Sequence, residues 1–127
     1  MKLVSLTHLG YAHYFLGDHV AAGERFSEAL QECMRYRLLP WAIYALSGLG
    51  LVAARQENPE KAVTLLTFVT EHPLLLDAFT LGEPERVLER LSNELPPGAF
   101  ARAEERGQTR NVDQITLTLD PRSRHGS

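Results

Sequence analysis

Residues 6–22 read LTHLGYAHYFLGDHVAA and residues 46–62 read LSGLGLVAARQENPEKA. Aligned, Leu6, Leu9, Gly10, Asp18 and Ala22 stand over Leu46, Leu49, Gly50, Asn58 and Ala62, and every pair is 40 residues apart, from Gly10 to Gly50 as from Ala22 to Ala62. Each copy carries apolar residues at helical spacing, a break with a capping residue, then more helical spacing, which is the pattern of two helices joined by a turn. Such a pair cannot bury its apolar faces alone, so its recurrence implies stacking.

Outward from this repeat, the spacing predicts a first helix over residues 2–16, stopped at Gly17 with Asp18 as the next cap. Ala22, Phe26, Ala29, Leu30 and Cys33 draw one stripe along a second helix over residues 18–37. Pro40 suits the first turn of a third helix over residues 41–56, and Asn58-Pro59 opens a fourth over residues 59–70 with Ala62, Leu65, Leu66 and Val69 inward. Gly10 and Ala22, like Gly50 and Ala62, sit where two helices of a hairpin come close, with Phe26 and Leu66 as the larger plugs.

The domain reading is therefore two helix pairs over residues 1–71, a helical cap over 72–120 and a disordered tail over 121–127. In the cap, residues 73–82 are apolar but irregular, and Leu74, Leu75, Leu76 and Phe79 are expected to lie against the last pair. Pro84 is expected to open a helix with Val87, Leu88, Leu91 and Leu95 inward and Glu85, Arg86, Glu89 and Arg90 toward water. Pro96-Pro97 breaks it and starts another, with Phe100 and Ala103 inward and Gly107 as its stop. In residues 111–120 the alternation of Ile115, Leu117 and Leu119 is that of a strand, whereas Asn111 and Gln114 are placed as a reciprocal helix cap. A short helix is the expectation.

Leu9-Gly10, Gly17-Asp18, Ala22, Phe26 and Ala29 stand at the spacing of the tetratricopeptide repeat (TPR) signature, which the first pair resembles. The second pair keeps Leu49-Gly50 and Ala62 but has Glu57-Asn58 in place of Gly-Asp, and Val69 where a small residue is usual. The 40-residue interval exceeds the usual TPR length of about 34, implying longer helices or a longer link at Arg37 to Pro40. Further on, His72-Pro73, Glu94-Leu95-Pro96-Pro97, Ala101, Ala103 and Arg106-Gly107-Gln108 resemble the C-terminal end of TPR regions in large bacterial regulators of the signal-transducing ATPase kind, LuxR-like and SARP-like transcriptional regulators included. The resemblance implies an all-α, TPR-like superhelix, and a C-terminal sensor or interaction arm preceded by a nucleotide-binding module.

A net charge of −3 speaks against a phosphate-binding surface, so direct nucleic-acid binding is not expected. The longest uncharged stretch, residues 38–54, is too short and too interrupted to span a bilayer, and the N-terminus does not read as a signal peptide. A cytoplasmic location is the expectation. A lone Cys33 forms no intrachain disulfide and reads as a buried thiol, His8 and His13 point to different helix faces, and Gly48-Leu49-Gly50 falls within a helix and lacks the dinucleotide spacing. His19 beside Asp18 reads as a solvated helix start. No catalytic residue, metal ligand or cofactor is expected.

What remains is a surface. If the first helix of each pair lines a groove, Tyr11, Tyr14, Phe15, Tyr44, Leu51 and Arg55 lie on or near it and suit a protein or peptide partner, or another domain of a larger parent chain. The first helix has no polar capping helix before it, so its outer face should be apolar, as in a fragment or in a chain that forms homodimers. A small-molecule effector held between the repeats and the tail helices is a further alternative.

Overall fold

The computed structural model describes residues 2–72, 78–117 and 119. Among the described residues seven helices follow one another: α1 (Lys2–Phe15), α2 (His19–Arg35), α3 (Leu39–Arg55), α4 (Pro59–Thr70), α5 (Ala78–Glu94), α6 (Pro97–Thr109) and α7 (Val112–Leu117). The chain is all-α, with no strand among the described residues. The packing expected of Leu74, Leu75 and Leu76 and the tail over 121–127 fall outside the described residues, as does the side chain of Phe79.

The first three turns close alike. Gly17, Arg37 and Glu57 take the left-handed conformation, with φ of 87°, 54° and 59°. One residue further on, the amides of Asp18, Leu38 and Asn58 donate to the carbonyls of His13, Cys33 and Ala53, at 2.9, 2.8 and 3.0 Å. This pattern satisfies carbonyls that a helix end leaves open. The side chain of Asp18 then caps α2 by accepting from the Ala21 amide at 3.1 Å, whereas α3 and α4 carry Pro40 and Pro59 in their first turns and have no side-chain cap. Because only 36–38 separates α2 from α3 and each of these helices has 17 residues, helix length rather than a longer link takes up the 40-residue interval.

Each helix from α1 to α4 packs on the next, α1 also touches α3, and α5 touches both α3 and α4. Glycines set how closely they approach. A Cβ at Gly10 would come within 2.7 Å of the Phe26 ring, and one at Gly50 within 2.6 Å of Leu66, so the same small-to-large contact recurs in both pairs. Gly48 adds a third contact, also on Phe26. Phe26, Leu46, Leu65 and Leu66 are fully buried, and from Ala62 to Val69 every residue of α4 is buried. A helix apolar all round sits at the centre of its domain; here α3, α5 and α6 surround it.

Two expectations for the cap are corrected. Pro84 lies inside α5, which starts at Ala78 rather than at the proline. Gly107 lies inside α6 and is no stop: a Cβ there would meet the Thr64 carbonyl at 2.6 Å, so glycine lets α6 lie against α4. One turn earlier the Thr64 hydroxyl donates to the Ala103 carbonyl at 3.0 Å. Residues 112–117 are helical, and the Asn111 side chain and the Gln114 amide, with the Gln114 side chain and the Asn111 amide, form the reciprocal cap at 2.9 Å each. Ile115 enters the cluster of Leu6, Leu30, Cys33, Leu46 and Phe68 and is fully buried.

Candidate binding site

The six groove residues part company. Tyr11 is half-buried, edge-on to Phe26 at 4.8 Å between ring centroids, and its hydroxyl donates to the Tyr44 carbonyl at 3.1 Å. It clasps α1 to α3. Tyr44 itself stacks on Trp41 at 5.5 Å. Leu51, 1% exposed, belongs to the core, because α3 is covered on that side by α4 and α5. Tyr14 is also buried, at 5% exposure, packed against the rings of Phe15 and His19. Only Phe15 and Arg55 are exposed.

Tyr14, Phe15 and Arg55 nevertheless come together. With Glu83, Arg86, Val87 and Arg90 of α5 they line a cavity of about 410 Å³. The spacing of these four α5 residues, three, one and three apart, puts them on one helix face. The sequence pattern instead separates them, with Val87 inward and Arg86 and Arg90 toward water, whereas all three line this one cavity. The meeting of this face with the ends of α1 and α3 was not legible, because nothing local to α5 specifies which helices it packs on.

The charges in the cavity are unequal. Arg86 pairs with Glu83, and Arg90 reaches Glu94 at 3.5 Å, one turn away. Among the described residues Arg55 has no carboxylate partner, and its guanidinium lies 5.9 Å from the centroid of the Tyr14 ring. A cation at that distance from a ring face gains a modest electrostatic attraction. The Tyr14 hydroxyl is buried with no hydrogen-bond partner, an arrangement that costs a folded protein free energy. Three guanidiniums, one carboxylate and two aromatic rings thus face one space. This is the chemistry of anion recognition beside an apolar wall.

Elsewhere the chemistry is sparse. Cys33 is fully buried, and burial pushes its thiol up to about 11, so it stays protonated and inert at neutral pH. His19 is not the solvated helix start its sequence context suggests: it is half-buried, with an unpartnered Nδ1. Gly48 and Gly50 lie within α3 at the close approaches described above. Among the described residues no group of three His, Cys, Asp or Glu is arranged to hold a metal ion, and no helix is long and apolar enough to cross a membrane.

One surface is apolar without being covered. Leu9 is 48% exposed, in contrast to the buried position its spacing with Leu6 and Gly10 suggests, while Leu16 and Val20 at the α1–α2 turn are 82% and 65% exposed. No family model matches the chain, and no curated protein or solved structure matches it either.

Proposed function

We propose that this chain is a TPR-like interaction module, the non-catalytic C-terminal arm of a larger bacterial regulator, and that α1 presents the surface that meets another protein segment. The observation that carries this reading is the exposure of Leu9, Phe15, Leu16 and Val20 along α1 and at the start of α2, four of the seven large apolar side chains exposed among the described residues. Exposed apolar residues in a contiguous run mark interaction surfaces. A helix stack buries each face against the next pair, so a further helix pair or a helical partner segment is the natural occupant.

The superhelical reading rests on the 40-residue recurrence, on the Gly10–Phe26 and Gly50–Leu66 contacts, and on the equivalent left-handed residues Gly17 and Glu57.

Two measurements test the proposal. In cells that make it, an antibody against this chain should detect a polypeptide well above 14.2 kDa that carries a nucleotide-binding module; a species at 14.2 kDa would overturn the regulator reading. A photo-cross-linking residue placed at Leu16 should join α1 to one defined protein segment, whereas the same residue at exposed Gln31 on α2 should not. Equal yields at both positions would remove the interaction surface from α1. A joined species made of two copies of this chain would replace the proposed partner by self-association.

A further inference from the structure

We propose that the cavity between α1, α3 and α5 is a binding site for a small aromatic carboxylate. At about 410 Å³ the space lies within the range of small-molecule sites, roughly 300–1,000 Å³. Its walls divide the work. Tyr14, Phe15 and Val87 offer ring faces and an aliphatic surface, against which a planar apolar group loses its contact with water. Arg55, Arg86 and Arg90 offer guanidinium groups, whose planar fork matches a carboxylate with two parallel hydrogen bonds.

Two features say that a ligand is accommodated here rather than a self-contained ion-pair network. Arg86 and Arg90 each have a carboxylate of their own helix, but Arg55 has none among the described residues. The second is Tyr14, which lines the same cavity and holds its ring beside that unpaired guanidinium. A carboxylate taken up by Arg55 brings its acceptor oxygens to the guanidinium that already lies 5.9 Å from the Tyr14 ring centroid. The Glu83 carboxylate in the wall lowers the local positive charge, which favours a monoanion over a phosphate dianion.

The position has a consequence. α5 touches α3 and α4. A ligand lying across Phe15, Arg55 and Arg90 ties α5 to the ends of α1 and α3, and so links the helical cap to the two helix pairs. This site shares only Phe15 with the protein-binding reading, which rests on Leu9, Phe15, Leu16 and Val20.

The test uses the full chain and four probes: phenylacetate, acetate, benzylamine and phenyl phosphate. Titration calorimetry should show phenylacetate binding at least about tenfold more tightly than acetate, which lacks the ring, and than benzylamine, which has the opposite charge. Amide NMR shifts should fall on α1, α3 and α5. Arg55→Gln, an exposed substitution whose fold is checked by circular dichroism, should weaken phenylacetate by about tenfold or more, and Arg55→Lys should restore only part of it. Absence of phenylacetate binding, binding unchanged in Arg55→Gln, or shifts confined to other helices would overturn the site. Tighter binding of phenyl phosphate would overturn the ligand class. Binding only of glutamate-rich peptides, titrated as a separate arm, would replace the small ligand by a protein segment.

Discussion

Phe26 presses its ring onto Gly48 so closely that a Cβ added to that glycine would lie 2.3 Å from the ring's Cζ. Gly10 of α1 faces the same ring from another helix, where an added Cβ would lie 2.7 Å from it, so one phenyl group fills a slot between two glycine backbones. Gly48→Ala must push the ring or the helix aside and should cost about 2–3 kcal/mol in urea unfolding, the usual penalty for overpacking a dense core. Gly23→Ala supplies the opposite sign: its new methyl would meet Val52 at an ordinary 3.6 Å. There the gain in helix propensity should stabilise by about 0.5–1 kcal/mol. Equal stabilities for the two variants would refute the slot.

Glu57 takes the left-handed conformation that Gly17 takes at the equivalent point of the first pair. A side chain there costs about 1 kcal/mol that glycine avoids. Glu57→Gly should therefore raise stability by about that amount, and Gly17→Ala should lower it by a similar one. A loss of stability in Glu57→Gly would mean that the Glu57 side chain matters more than its backbone.

Ile115 ties α7 to the first core cluster. Fully buried, it should cost about 2–5 kcal/mol when replaced by alanine, whereas Asn111→Ala, which removes only the cap, should cost about 1 kcal/mol. Thermal unfolding of both variants checks this. If Ile115→Ala unfolds like the unsubstituted chain, the last helix does not contribute to the core.

Arg37 donates to both carboxylate oxygens of Asp113, at 2.7 and 3.3 Å, joining the α2–α3 turn to α7. The hydrogen bonds from Arg37 hold the Asp113 carboxyl below its ordinary value of 3.8. A depressed carboxyl stabilises the fold above its unfolded pKa, and this contribution is lost as pH falls through the folded value. The stability difference between the unsubstituted chain and Asp113→Asn should therefore be small but present at pH 7, shrink in high salt, and vanish well below pH 3.8. A difference that grows toward acid would contradict the sign.

Alanine at Tyr11 and Tyr14, two of the six groove residues read from the sequence, would not probe a surface. Tyr11 holds α1 to α3 through the Tyr44 carbonyl, and Tyr14 is core, so both substitutions would report stability. Substitution of Leu16 or Val20 by glutamate changes the exposed face itself. Either should leave the melting temperature within about 2 °C, because surface changes usually shift stability by no more than about 0.5 kcal/mol.

Local signals in the sequence determined the helices and their turns. Asp18 and the Asn111–Gln114 pair are caps, Pro59 opens α4 at its first position, Gly17 is a left-handed stop, and the stripe from Ala22 to Cys33 has the period of a helix; each is a signal within a few residues. The 40-residue recurrence also foretold that Gly10 meets Phe26 and Gly50 meets Leu66, because the same contact had to be made twice. Tertiary structure alone decided what depends on distant packing. The same glycine is a helix stop or a close-packing point according to what lies opposite, and Thr64 opposite Gly107 made it the latter. Leu51 went from surface to core because α4 and α5 cover α3 there, and Tyr14 because it packs against Phe15, His19 and Arg55, while Leu9 went from core to surface. The cavity has the same origin: Phe15, Arg55 and Arg90 lie far apart in the chain, and only the docking of α5 across α3 brings them to one space.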